Sequence, residues 1–187
     1  MSDAPIKFRF NEAKATEAAA WLLKREQGRM NYLRLIKLLY IADRESLTKF
    51  GRPITGDDFV SMKKGPVLSN VLHIIRDDGW TEPQIWPNHI EKNEDYTVHL
   101  VKDPGADNLS AAETDLLDVI LASHWGKTQW EMVDYTHTFP EWKDPGHSVS
   151  PIHVEELLRA AGVSDEKIDK IREDASEDAF LDELLGT

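Results

Sequence analysis

The sequence predicts an α+β fold that is mainly helical, with a single helical domain and a small antiparallel sheet of about three short strands. Several long segments carry apolar residues at helical spacing and are bounded by typical capping residues. Two shorter segments have the alternation or the central turn that is typical of strands. We also expect an acidic, amphipathic helical tail, and we divide the chain into a domain of residues 1–162 and a tail of residues 163–187.

Composition indicates a soluble globular protein. The chain has 187 residues, of which 41% are hydrophobic and 30% charged, and it contains no cysteine. Disulfide frameworks and cysteine-ligated zinc or iron–sulfur centres are therefore excluded. No apolar run is long enough to span a bilayer, and the N-terminal residues lack the apolar stretch of a signal peptide. We expect a cytoplasmic protein without membrane contact.

The net charge of −12 is unevenly distributed. Residues 1–87 hold 14 basic and 11 acidic residues, whereas residues 88–187 hold 8 basic and 23 acidic residues. Such an acidic chain repels a phosphate backbone, which makes nucleic acid an unlikely partner unless a local basic patch binds it. The acidic half suits a basic partner, although it also serves solubility.

The first half of the chain contains two helices with clear ends. Asn11 is a typical N-cap for a helix that ends at Gly28, and Asn31 has the same role for a helix that ends at Gly51. Apolar residues cover most of the circumference of the second helix. We therefore expect the second helix to lie buried at the centre of the domain.

A short strand, a third helix and a hairpin are expected next. Alternating residues over 57–64 favour a strand. Pro66 suits the first turn of a helix that continues to Gly79, because proline is favoured at the first helical position. Residues 88–101 have the pattern of a hairpin with a polar turn.

Four helices complete the predicted fold. Capping boxes mark the start of two of them, at Ser110 with Glu113 and at Thr128 with Glu131. The next helix ends at Gly162, and the last forms the tail, which has nine acidic residues and three basic ones.

The stretch GRPITGDD has two glycines at the spacing of a phosphate-binding loop. Asp57 and Asp58 stand where such a loop has lysine and a hydroxyl residue, and two carboxylates would repel phosphates. We predict that Gly51 ends a helix and that Gly56 reverses the chain, without nucleotide binding.

The segment that contains this loop resembles the signature of the Panacea domain, the family of SocA-like antitoxins and phage-associated GepA-like proteins. The match lies in Lys37-Leu38-Leu39-Tyr40, Asp43, Gly51, Ile54-Thr55-Gly56 and Lys64-Gly65-Pro66, and downstream in Tyr135-Thr136-His137 and Pro140-Glu141-Trp142-Lys143. It covers most of residues 15–145 and is most specific over 37–67. The motif residues that we single out are Lys37, Tyr40, Asp43, Gly51, Thr55, Gly56, Gly65, Pro66, His137 and Trp142.

The resemblance implies a compact, mainly helical protein-binding domain with a small antiparallel sheet. It implies an antitoxin that neutralises a protein toxin from a neighbouring gene by direct binding, and that in some members delivers the toxin to a protease such as ClpXP. It brings no catalytic residue. We expect no cofactor, and a homo-oligomer remains open. The alternative function is a nucleic-acid-binding regulator of its own operon, or another phage-associated regulatory protein.

Lys37 and Asp43 are charged residues on the helix that we expect to be buried. A buried charge must be paired or hydrogen-bonded, so we expect Asp43 to accept backbone amides from residues 51–56 and Lys37 to reach a carbonyl group. A ligand-binding or catalytic role for Asp43 or His137, as in a hydrolase or nucleotide-modifying enzyme, is the less favoured interpretation.

Seven histidines raise the question of a metal site. If Lys92 pairs with Asp95 in the hairpin, His99 points away from His89, so the two cannot share a metal ion. Asp134 and His137 are three residues apart on a helix, which is a weak signal without further ligands. We expect no metal site.

Lys63 and Lys64 precede the expected third helix, whose N-terminus could hold an anion between the two ammonium groups. Paired lysines before a turn more often lie solvated at the surface. Binding to DNA would depend on these lysines together with Arg25, Arg29 and Arg34.

Several aromatic and apolar residues are candidates for partner contacts. Trp80 and Trp86 flank a proline-containing loop, where they either cover an edge of the core, which we favour, or contact a partner. An apolar stripe in the tail contains Phe180, Leu181 and Leu184, together with Leu185. The stripe either docks back onto the domain or binds a groove of a partner protein.

Overall fold

The computed structural model describes residues 4–185, which form seven α-helices, one 3₁₀ helix and six strands. The predicted class, a mainly helical α+β fold with small antiparallel sheet structure, is confirmed. The elements are, in chain order, α1 Glu12–Arg25, β1 Arg29–Asn31, α2 Tyr32–Phe50, β2 Phe59–Met62, β3 Gly65–Leu68, α3 Ser69–Arg76, the 3₁₀ helix Trp86–Asn88, β4 Ile90–Lys92, β5 Thr97–Leu100, α4 Ala111–Ser123, α5 Gln129–Thr136, β6 Ser150–Pro151, α6 Val154–Ala160 and α7 Asp165–Leu185.

Helix α2 lies at the centre of the fold, as its sequence predicts. Most of its side chains are buried, and it packs against α1, α4, α5 and strand β3. Its N-cap Asn31 accepts a hydrogen bond from the Leu33 amide at 3.0 Å, and its C-cap Gly51 has a left-handed backbone with φ of 79°. The central helix therefore positions α1, α4, α5 and β3 relative to one another.

Three further predicted helix starts, at Asn11, Ser110 and Thr128, are also confirmed. Asn11 caps α1 by accepting a hydrogen bond from the Lys14 amide at 3.0 Å. Both capping boxes are present, with Ser110 and Glu113 at the start of α4 and Thr128 and Glu131 at the start of α5. These contacts are local in sequence, which is why the sequence alone identifies them.

The described residues contain two three-stranded antiparallel sheets, in the orders β1-β5-β4 and β3-β2-β6, where the sequence suggests one. Strand β2 is confirmed, but Pro66 does not begin a helix: it lies in β3 opposite Ser61, and α3 starts only at Ser69. Because β3 is an edge strand, the missing N–H of proline costs no ladder hydrogen bond there.

The hairpin at 88–101 is present, but its predicted register is wrong. Lys92 pairs with Val98, not with Asp95. The turn is longer than expected because Tyr96 adopts a positive φ of 62° and Asp95 accepts a hydrogen bond from the Thr97 amide at 3.2 Å. His99 accordingly pairs with Glu91 across the strands.

Helix α7 forms the expected helical extension, and its first half packs on the domain. Ile168, Ile171 and Ala175 belong to the hydrophobic core, whereas residues 176–185 are exposed. A turn at Gly162, with φ of 81°, separates α7 from α6. The division into a domain and a tail at residue 162 stays a prediction, and residues 1–3 and 186–187 of the two segments lie outside the described residues.

No helix within residues 4–185 combines the length and the apolar character that crossing a membrane requires.

Gly56 lets the N-terminal segment approach the turn after α2. It has a φ of 70°, and a Cβ at this position would overlap the carbonyl group of Arg9. The neighbouring Thr55 carbonyl accepts a hydrogen bond from the Asn11 amide at 2.8 Å, which fixes the start of α1 against the same turn. A residue other than glycine would force these two segments apart.

We therefore expect the Gly56→Ala variant to lose about 3 kcal/mol of unfolding free energy. The cost of a non-glycine residue in a left-handed backbone adds to the cost of the overlap between the new methyl group and Arg9. The matched control is Gly146→Ala, where φ is 67° but nothing lies within 4 Å of the added methyl group. This control should lose only about 1 kcal/mol. Urea unfolding of both variants measures the difference, and equal losses would contradict the close approach to Arg9.

Candidate functional site

Asp43 projects from α2 into the turn that follows the helix. Its side chain is fully buried and accepts hydrogen bonds from the amides of Ile54 at 2.9 Å and Thr55 at 3.0 Å, and from the Thr55 hydroxyl. Burial raises the pKa of Asp43 to about 7, although the hydrogen bonds from Thr55 and Ile54 favour the carboxylate. The predicted anchoring of the 51–56 turn by Asp43 is therefore observed.

Asp57 extends the same arrangement to α3. One of its carboxylate oxygens accepts hydrogen bonds from the Asp58 amide at 2.7 Å and the Asn70 amide at 2.8 Å, and the other accepts from the Val71 amide at 2.9 Å. Two of these amides belong to the first turn of α3, so Asp57 caps that helix from a distant loop. Burial raises the pKa of Asp57, and the hydrogen bonds from Asn70 and Val71 oppose this shift.

Lys37 is a fully buried lysine on α2. Its ammonium donates a hydrogen bond of 2.6 Å to the carbonyl of Pro66 in β3, as expected for an anchoring lysine. Burial lowers the pKa of Lys37 to about 7. Gly65 makes room for this contact, because a Cβ there would lie 2.9 Å from Lys37 Nζ and 2.7 Å from Thr136 Oγ1.

His137 and Trp142 lie beside Lys37 at the end of α5. Their rings stack with 3.9 Å between centroids, and Trp142 Nε1 donates a hydrogen bond of 3.0 Å to the carbonyl of Met62 in β2. Burial, together with the nearby charge of Lys37, lowers the pKa of His137. Within residues 4–185, His137 Nε2 is buried without a hydrogen-bond partner. The stack joins the end of α5 to the β2–β3 hairpin.

Glu141 links the segment after α5 to α2. Its carboxylate accepts hydrogen bonds from Arg44 Nε at 2.6 Å and from the Tyr40 hydroxyl at 3.1 Å. Glu141 is 2% exposed, so this ion pair is shielded from water. The Arg44 guanidinium also lies over the ring of Phe139, 4.4 Å from its centroid. Together these contacts hold residues 139–142 against the central helix.

All ten predicted motif residues thus lie on α2, in the 51–56 turn that follows it, in β3, or in the segment just after α5. They connect α2 with the 51–56 turn, the β2–β3 hairpin and the end of α5. Their polar groups bind mainly to the chain itself, so the arrangement is a structural scaffold first.

The two candidate tryptophans have different environments. Trp86 is only 3% exposed and covers the core, which is the role that the sequence favours, so its ring is not presented to a partner. Trp80 is 80% exposed and lies next to His73, with 5.7 Å between ring centroids. Of the two, only Trp80 is placed to contact a partner.

The candidate anion site at Lys63 and Lys64 is not supported in the predicted form. The two lysines lie in the β2–β3 turn and not before a helix, so no helix N-terminus adds to their charge. Lys64 instead places its ammonium 5.0 Å from the ring centroid of Trp130.

The three arginines proposed for DNA binding are each paired with a carboxylate. Arg25 pairs with Asp118, Arg29 with Asp95, and Arg34 with Glu26. Their charge is therefore partly neutralised.

Among the described residues, no group of three or more histidine, aspartate or glutamate side chains is placed to hold a metal ion. His89 Nδ1 lies 2.9 Å from the Lys102 carbonyl instead.

Sequence reasoning missed the roles of Arg44, Asp57 and Glu141. Arg44 follows Asp43 on the helix that the sequence predicts to be buried, which could have marked it as buried. Glu141 lies in the downstream family motif, but its partner Arg44 is 97 residues away, and no local pattern indicates such a pair.

An exposed aromatic surface at the α4–α5 junction was also missed. Trp125 is 63% exposed and Trp130 53% exposed. Lys127 lies over the ring of Tyr135 at 4.8 Å, much as Lys64 lies over Trp130. Lys64 thus covers one face of the Trp130 ring and Lys127 one face of the Tyr135 ring, which reduces the aromatic surface that a partner could contact.

A family model described as antitoxin SocA-like, Panacea domain, matches residues 35–143 of the chain. The matched range begins in α2 and ends just after Trp142, so it encloses the buried network of Lys37, Asp43, Asp57 and Glu141. No curated protein and no solved structure matches the chain significantly.

The buried ammonium of Lys37 gives a prediction for the pH dependence of stability. The pKa of Lys37 is about 7 in the folded state, whereas an exposed lysine of the unfolded chain has a pKa of 10.5. Between pH 7 and pH 10.5, therefore, mainly the unfolded state binds this proton. The unfolding free energy should therefore rise with pH in this window, by up to about 1.4 kcal/mol per pH unit.

The Lys37→Met variant keeps an apolar chain of similar length and lacks this titration. We expect the difference in unfolding free energy between wild type and variant to shift in favour of wild type as the pH rises from about 7 to about 10. Urea unfolding at several pH values measures this difference. Parallel curves for the two proteins would show that Lys37 keeps its proton in the folded state.

Proposed function

This chain belongs to the SocA-like antitoxin family with the Panacea domain, and we propose that it is the antitoxin of a toxin–antitoxin pair. In this proposal it neutralises a protein toxin encoded by a neighbouring gene through direct binding. The observation that carries the proposal is the family match over residues 35–143, which covers the whole buried network.

The geometry supports a binding scaffold. The polar groups of the motif residues form hydrogen bonds mainly within the chain. Asp43 accepts from the amides of Ile54 and Thr55, and Glu141 accepts from Arg44. Such contacts fix the positions of loops but leave little chemistry for a ligand. Recognition of a toxin is therefore assigned to exposed residues outside the network.

We also propose that the chain acts without catalysis. Asp43, the acid in the motif with the most perturbed environment, is fully buried and already accepts three hydrogen bonds. His137 stacks on Trp142 and is not hydrogen-bonded to a nucleophile among the described residues. Neither group has the arrangement of nucleophile and base that covalent catalysis needs.

Charge supports a basic toxin as the partner. Residues 88–187 carry most of the acidic excess, and a basic surface would be attracted to them over distances set by the salt concentration. A basic toxin surface is typical of proteins directed at nucleic acids, and binding would cover that surface.

A further part of the proposal is that the complex is delivered to a ClpXP-type protease in the cytoplasm. This step is drawn from the family alone. Growth in cells with and without ClpP separates delivery to the protease from neutralisation by binding.

The alternative function, a nucleic-acid-binding regulator of its own operon or a related phage-associated regulator, has weaker support. The net charge is −12, and Arg25, Arg29 and Arg34 each pair with a carboxylate. A protein of this type would need a continuous basic surface to bind a phosphate backbone.

We predict that the chain forms a stoichiometric complex with the product of its adjacent gene and restores growth when the two are co-expressed. The measurement is an affinity pull-down scored together with growth, in cells with and without ClpP. An unrelated acidic protein of similar net charge is the control for non-specific attraction.

The outcomes distinguish the mechanisms. A complex with growth rescue in both strains supports neutralisation by binding, and rescue only when ClpP is present supports delivery to the protease. The antitoxin proposal would be contradicted if the product of the adjacent gene is toxic and the chain neither binds it nor restores growth.

A further inference from the structure

The second half of α7 exposes an apolar stripe, which consists of Phe180, Leu181, Leu184 and Leu185. These side chains are 64%, 50%, 70% and 71% exposed, respectively. Isolated exposed apolar residues are ordinary, but four of them on two turns of one helix form a continuous surface. The sequence left open whether this stripe docks back onto the domain or binds a partner.

The first half of α7 fixes the rotation of the helix. Ile168, Ile171 and Ala175 are buried in the core, and Gly51 leaves room for Ile171, whose Cγ1 would lie 3.3 Å from a Cβ at that glycine. Lys167 Nζ also donates a hydrogen bond of 2.8 Å to the Thr48 carbonyl. Because a helix turns by about 100° per residue, the stripe points roughly 140° away from this docked side.

Two acidic residues of the second half, Asp178 and Asp182, face the domain instead. Asp178 pairs with Arg52 at 2.8 Å. Asp178 and Asp182 line one side of a cleft of about 190 Å³ whose other side includes Arg9, Lys14 and Arg52. These contacts agree with the rotation that the buried residues of the first half impose, which keeps the stripe turned away from the domain.

We infer that the stripe on α7 is the docking segment for the toxin, and that it fits an apolar groove rimmed by lysine or arginine residues. The inference rests on the proposed antitoxin function and names the surface that performs it. A short amphipathic helix inserted into a groove is a common mode of recognition.

Charge decides between possible occupants. Residues 173–185 contain six acidic residues and no basic one. Two copies of this segment packed together would bring like charges close, which opposes pairing of the stripe with a second copy. A groove with a basic rim would instead gain attraction from the exposed carboxylates beside the stripe, such as Glu177 and Glu183.

The segment lies outside residues 35–143, the range of the family match. The scaffold and the docking segment are thus separate parts of the chain, joined where α7 packs against the end of α2.

The test uses the full chain and the product of the adjacent gene. The Phe180→Ala/Leu184→Ala variant removes half of the stripe. Its matched control is Val101→Ala/Val119→Ala, which removes two apolar side chains that are 52% and 58% exposed elsewhere. A third variant, Trp125→Ala/Trp130→Ala, removes the aromatic surface at the α4–α5 junction. Affinities come from titration calorimetry, and thermal unfolding confirms that each variant is folded.

We expect the stripe variant to bind at least about 30-fold more weakly, as loss of hot-spot residues does, and both other variants to bind within about threefold of wild type. The inference would be overturned if the stripe variant bound the neighbour as tightly as the wild type does, or if only the tryptophan variant lost affinity. Either result would leave the antitoxin function intact. A wild-type chain that fails to bind the neighbour would overturn both proposals. A dimer of the chain alone that the stripe variant abolishes, in sedimentation, would assign the stripe to self-association instead.

Discussion

The fold depends on the need to satisfy charged groups that lie inside it, and Asp43 is the clearest case. Its carboxyl group sits on the central helix with no exposure to water, and an unpaired charge at that position would cost several kcal/mol. The amides of Ile54 and Thr55 supply its partners, so the chain must turn back immediately after Gly51. That turn places Thr55 against Asn11 and leads into strand β2.

The same requirement accounts for the rest of the scaffold. Lys37 needs an acceptor and finds the Pro66 carbonyl, which positions the β2–β3 hairpin, while Arg44 and Glu141 satisfy each other and hold residues 139–142. Satisfied buried polar contacts make such a scaffold rigid, and they leave the exposed side chains available for a partner. In this chain the exposed apolar stripe of α7 lies outside the matched family range.

The sequence predicts those features that depend on neighbouring residues. The caps at Asn11 and Asn31, the two capping boxes and the roles of Lys37 and Asp43 as anchors all follow from local pattern and the cost of a buried charge. It fails where distant pairing decides: β3 replaces the expected first turn of α3 because β2 pairs with it, and the ion pair of Arg44 and Glu141 joins residues far apart in the chain. The direction of the α7 stripe depends on Ile171 packing near Gly51, which no local pattern shows.

The central claim is that a rigid network presents a separate docking helix, and hydrogen–deuterium exchange tests it most directly. The full chain is measured alone and with the product of its adjacent gene. We expect the amides of Ile54, Thr55, Asn70 and Val71, which bind Asp43 and Asp57, to exchange slowly in both samples. Amides of residues 177–185 should exchange rapidly in the free chain and slow by at least about tenfold in the complex. Protection that appears in the network while residues 177–185 remain unchanged would contradict the account.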